Sequence, residues 1–227
     1  MSFSKFMKSL NGEGVEGELI KTVFFSLVTS FLFLGILYYT KFQYIENFTS
    51  KFSIYLFFSA LSYAIVLPAI YQIRAYKELP CMSGMMVGMT TGMVAGFLLG
   101  FYVAATNGMF IGGFFGVALG IALGIWNGKC CGIMGVMEGV MAGFMGGLMG
   151  AMTAFMLFND NIQIAAVLVF IISAIIVLSL NYMIYKETRE VKRQKAKDNF
   201  FTIALTFILM ALTTWLIVYG PRSAIFS

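Results

Sequence analysis

The chain has 227 residues, 60% of them hydrophobic and only 11% charged, with a formal net charge of +5 at pH 7. A soluble domain carries about a quarter charged residues, so this composition excludes an ordinary water-soluble globule and points to an all-α polytopic membrane protein. Histidine is absent, which excludes haem held by a protein imidazole, imidazole-rich zinc or nickel sites and a histidine proton shuttle.

The charges gather in short clusters, and the stretches between them are long enough to cross a bilayer. A span needs roughly 20 apolar residues at about 1.5 Å rise each. Seven stretches qualify: Glu18–Thr40, Phe52–Tyr71, Cys81–Thr106, Gly108–Trp126, Cys131–Phe158, Ile162–Tyr185 and Phe200–Gly220. The opening "MSFSKFMKSLNGEGVEGELIK" is too long and too acidic for the n-region of a signal peptide, and it shows no obvious small-residue cleavage site. The first span is therefore expected to be a retained helix. "NFT" at Asn47 falls in the next loop and matches a glycosylation sequon, a match that chance explains.

Orientation follows from lysine and arginine. With the N-terminus inside, twelve lie on the cytoplasmic side: Lys5, Lys8, Lys21, Arg74, Lys77, Lys129, Lys186, Arg189, Lys192, Arg193, Lys195 and Lys197. Three, Lys41, Lys51 and Arg222, lie outside. The expectation is N-terminus cytoplasmic and C-terminus outside, in the cell membrane. The basic loop "YKETREVKRQKAKDN" reads as a topology determinant touching anionic headgroups, with no nucleic-acid partner.

Composition divides this single membrane domain into three parts. Residues 1–80 and 159–227 each hold two ordinary Phe/Leu/Ile-rich helices. Residues 81–158 hold most of the methionines, all 3 cysteines and 19 of the 24 glycines. Within this part, "GMTTGMVAGFLLG" (Gly88–Gly100) aligns without gaps on "GVMEGVMAGFMGG" (Gly135–Gly147), matching at six of thirteen positions. Parallel repeats of this kind occur in transporters, and low-complexity glycine patterns also align by chance.

Glycine recurs at 84, 88, 92, 96 and 100, then at 112, 116, 120, 124 and 128, then at 135, 139, 143 and 147. Each costs about 1 kcal/mol against alanine in an aqueous helix, so propensity does not explain the rows. In lipid, small residues spaced i, i+4 let backbones approach closely. The rows predict a glycine-zipper core of the three central helices, packing on one another, on a second copy or on a partner subunit.

At 100° per residue, Cys131, Met134, Glu138, Met141, Met145, Met149, Met152 and Met156 share an arc of roughly 80° on the fifth span, apart from its glycines. On the third span Met85, Met89 and Met93 ascend in i, i+4 steps above Cys81, and Cys130 precedes Cys131 at the same membrane side. Thioethers and thiolates select soft monovalent cations, Cu(I) above all. The candidate metal ligands are accordingly Cys81, Met85, Met89, Met93, Cys130, Cys131, Met134, Glu138, Met141, Met145 and Met149. The cysteines sit at the reducing cytoplasmic side, where metal handling is expected rather than a structural disulfide. Glu138, an intramembrane acid, would neutralise the cation or carry a coupling proton. Against this, methionine also fills gaps beside glycine, Glu138 suits a helix N-terminus near Lys129, and a cysteine pair suits acylation.

The MxxxM steps Met85–Met89 and Met89–Met93, together with GxxxG, resemble the Ctr-type copper transporters. In that family a trimeric pore uses MxxxM on one helix and GxxxG on another. The likeness covers the third span and its neighbours, and it implies a sulfur-lined copper route there.

The function expected is membrane transport or handling of Cu(I) as substrate ion, supplied by a metallochaperone. A structural subunit assembled through its glycine faces and a proton or cation channel centred on Glu138 are the alternatives. No P-loop, flavin or nicotinamide fingerprint and no nucleophile–base pair is present, so neither a nucleotide nor enzymatic activity is expected.

Overall fold

The computed structural model describes residues 15–40, 52–74, 80–188 and 199–221. Asn47, the start before residue 15, most of the basic loop, and Lys5, Lys8, Lys41, Lys51, Lys77 and Arg222 lie outside the described residues. Those described are helical, with no strands among them. The helices are α1 (Val15–Thr40), α2 (Ser53–Arg74), α3 (Cys81–Asn107), α4 (Met109–Gly128), α5 (Gly132–Met156), α6 (Ile162–Thr188) and α7 (Asn199–Tyr219), with a 3-10 turn at Lys129–Cys131.

Six helical stretches are long and apolar enough to cross a membrane. One of them, Met109–Met156, runs for 48 residues, or about 70 Å at the helical rise, more than twice the roughly 30 Å of a hydrocarbon core. It is bent back on itself rather than straight. Lys129–Cys131 tightens into the 3-10 turn, Gly132 takes φ +72°, and α5 returns antiparallel along α4. The preceding reversal is tighter still: Gly108 alone separates α3 from α4, with φ 110° and ψ 164°. Both positive φ values suit glycine, which has no Cβ to collide with the backbone.

The two reversals bring the three glycine rows together inside this one chain. A methyl placed on Gly92 would stand 3.0 Å from the Gly139 carbonyl oxygen, 3.1 Å from Gly124 Cα and 3.2 Å from the Gly120 carbonyl oxygen. Successive layers repeat this meeting: Gly88 with Gly128 and Gly135, Gly96 with Gly120 and Gly143, Gly100 with Gly116 and Gly147. In each layer α3 and α5 run parallel at the offset of 47 residues (Gly88 against Gly135), the offset of the sequence alignment, with α4 antiparallel to both. The aligned segments are thus neighbours in space.

The remaining helices pack by side chains. α3 is the most buried of the membrane-length stretches and also touches α2, α6 and α7. Leu67 and Ile70 of α2 and Leu98, Phe101 and Tyr102 of α3 are almost wholly buried. Polar groups tie the helices across the apolar interior: Ser62 Oγ donates to the Tyr102 hydroxyl at 3.1 Å, and Gln72 Nε2 donates to the Asn181 carbonyl oxygen at 3.5 Å. Asn107 Nδ2 donates to the Leu216 carbonyl oxygen of α7. With lipid outside, such bonds and close packing replace the hydrophobic drive that holds soluble bundles together.

Candidate functional site: the sulfur faces of α3 and α5

The glycine arc of α5 faces α3 and α4, and those two helices with the turn supply its principal contacts. Its sulfur arc is left on the outside of the molecule. Met134 is 63% exposed, Met141 60%, Met145 55% and Met149 52%, while Gly135, Gly139, Ala142 and Gly146 are buried. The reason is steric: only the glycine side lets the backbone reach its neighbours, so the bulky thioethers are excluded from the packed side. The methionines therefore do not line an enclosed route within the chain.

On α3, Met85 is half-buried, and Met89 and Met93 are exposed at 37% and 38%. The Met93 backbone, its carbonyl included, stands where a Cβ on Gly146 would be, and the Phe97 backbone does the same against Gly150. This contact sets the α3 methionine edge beside the α5 sulfur face, with a glycine-lined seam between them. Glu138 lies on α5, partly buried, with no hydrogen bond or ion pair among the described residues. Lys129 forms no ion pair with it, so the electrostatic role suggested for Lys129 has no direct contact behind it.

The cysteines meet at one end of the core. A methyl on Gly84 would lie 2.7 Å from Cys131 Cβ and 3.3 Å from Cys130 Sγ, so the turn packs on the first coils of α3. Cys130 is a free thiol, half-buried, donating from Sγ to the Asn127 carbonyl oxygen at 3.2 Å. Cys131 is disulfide-bonded. The expectation of reduced thiols therefore differs from the observed state, in which the Cys131 sulfur is not a thiolate ligand. Cys81 opens α3, and its side chain lies outside the described set. Among the described residues no group of three or more Cys, Asp or Glu is gathered as a metal cage. Besides the Cys130 thiol the soft donors are thioethers, and they form two rows rather than one cluster.

Sequence reasoning missed Asn127. It is 2% exposed, its carbonyl receives the Cys130 thiol, and its Nδ2 is buried without a hydrogen-bond partner. The motif "WNGKCC" holds the signal, an amide one turn before the cysteine pair in an otherwise apolar segment.

No family model, no characterised protein and no solved structure matches this chain.

Proposed function

We propose that this integral membrane protein handles a soft monovalent metal ion, Cu(I), along the paired sulfur faces of α3 and α5. The observation that carries this reading is the seam itself. The Met93 backbone packs against Gly146, Met89 and Met93 are exposed on α3, the Met134–Met149 row is exposed on α5, and Glu138 is the one acid of α5. Neutral thioethers bind Cu(I) without deprotonation and leave the surface apolar, so a ladder of weak sites can pass the ion along the helices. Glu138 would balance its charge. Because the face is open to the outside, a second copy or a partner membrane subunit would close the route, through methionine rather than glycine. In this reading α4 and α5 cross separately, giving seven spans around a glycine-zipper core in the cell membrane, with the N-terminus cytoplasmic.

The outward position of the same face also favours a second reading, a structural subunit whose methionines touch lipid or a neighbour without carrying an ion. The two separate in reconstituted vesicles. Changing Met141, Met145 and Met149 together to leucine should lower Cu(I) uptake about 10–100-fold, the scale on which metal sites respond to altered surroundings. Unchanged uptake would sink the copper reading. Glu138→Gln should lower Cu(I) movement under the first reading and leave assembly unaltered under both.

A further inference from the structure

Four observations meet at the end of the core that holds Lys129. The Cys131 sulfur is in a disulfide, and Cys130, next in the chain, is a free thiol. Both cysteines pack on the Gly84 turn of α3. Asn127, in contact with the Cys130 thiol through its carbonyl, keeps a buried Nδ2 with no partner. Finally, the lysine and arginine distribution is that expected if this end lies on the cytoplasmic side. The cytoplasm keeps thiols reduced, and disulfides found there are usually transient, catalytic or redox-sensing.

We propose that the Cys130–Cys131 corner is a redox-gated binding site for Cu(I) at the cytoplasmic mouth of the sulfur faces. The disulfide is its closed state. A cytoplasmic dithiol opens it by exchange: one thiolate of the reductant attacks the disulfide, a mixed disulfide forms, and the second thiolate resolves it. The reductant leaves as its own disulfide, two electrons have passed to the protein, and both cysteine sulfurs of the former bond are protonated as thiols. Cys131 then stands beside Cys130 as a second thiol. Cu(I) binds the pair as thiolates with release of two protons, since a coordinating thiol must lose its proton. Asn127 is the positioning residue: its backbone carbonyl accepts from Cys130 Sγ, and its side-chain Nδ2, one turn before the cysteine pair, is buried without a partner. Gating of this kind would couple metal entry to the redox state of the compartment that supplies the metal. The identity of the metal rests on the copper reading above, whereas the redox change does not.

The test uses the full chain in detergent, oxidised and after treatment with a phosphine reductant removed anaerobically. Free thiols are counted, and Cu(I) is titrated against a chromogenic competitor. The thiol count should rise by two as the Cys131 disulfide opens, and Cu(I) affinity should rise about 10–100-fold. Alkylating Cys130 in the oxidised protein, before reduction, should abolish the gain without asking any variant to fold. Cys130→Ser should do the same while its disulfide still opens on reduction. Asn127→Ala should shift the affinity of the reduced form alone. Three thiols before reduction, equal affinity in both states, or a full gain after alkylation would each overturn the proposal. If redox-dependent binding holds while the triple leucine variant transports normally, the corner stands and the methionine route falls. If that variant loses transport while binding is redox-independent, the methionine route stands and the corner falls.

Discussion

The core of α3, α4 and α5 and the flanking set of α1, α2, α6 and α7 solve the same problem in different ways. In the core, backbone meets backbone: glycine layers bring Cα atoms and carbonyls of three helices to distances that leave no room for a methyl. In the flanking set, side chains meet side chains, as where Phe33 of α1 and Phe207 of α7 lie with ring centroids 4.9 Å apart. The Arg74 guanidinium covers the Phe201 ring at 3.5 Å, joining α2 to α7 in the same manner. A side-chain interface can relax around a change, because rotamers and neighbours shift. A backbone interface cannot, because each helix is rigid and every layer shares the same axes.

Substitutions sharpen that contrast. Gly124→Val places two methyls and a Cβ against the Gly139 backbone. It should cost on the order of 3 kcal/mol or more, at or above the usual cost of overpacking. Loss of monodisperse protein, or a large drop in melting temperature in detergent, is the expected readout. Leu67→Ala, in the side-chain-packed half, leaves a cavity and should cost about 2–3 kcal/mol, measured by the same melt. If the leucine variant proves the more damaging, the distinction drawn between the halves fails. Asn107→Ala removes the buried donor to the Leu216 carbonyl. That should cost about 1–2 kcal/mol and loosen α7 from α3, visible as faster amide exchange at the end of α7. Gly35→Ala makes the smallest change and reverses the sign. It lies in α1 with nothing within 4 Å of the new methyl, so the helix should gain up to about 1 kcal/mol. Gly35 thus serves as the control that separates glycine as a packing device from glycine as a mere helix weakener.

The helices were legible in the sequence to within a few residues, because runs of apolar residues between charges leave little choice. Phe52–Tyr71 became Ser53–Arg74, and Ile162–Tyr185 became Ile162–Thr188. The turns at Gly108 and Gly132 fall at the ends expected for the stretches Cys81–Thr106, Gly108–Trp126 and Cys131–Phe158, but glycine recurs at every turn there and nothing local marks which one takes positive φ. The separation of glycine and sulfur arcs on α5 followed from 100° arithmetic, but which arc faces inward depends on neighbours that periodicity does not name. Three glycine rows left open whether they would meet one another or a second copy; the structure brings them together in one chain. The Cys131 disulfide ran against the expectation from sequence because compartment chemistry argued for thiols, while the fold packs the turn on α3.

The layered register of α3, α4 and α5 has a consequence for how this segment can vary. Gly116, Gly120, Gly124 and Gly128 of α4 each answer a glycine of α3 and one of α5, like the marks of a vernier scale read against two rulers at once. Inserting one residue in the middle of α4 would turn every later glycine by about 100° and slide it about 1.5 Å along the axis. All the layers beyond that point would then fall out of step with both neighbours. Single substitutions on the outer faces leave the scale intact. Changes of length inside α4 do not, so the 20 residues between Met109 and Gly128 act as a fixed measure on which the whole core is set.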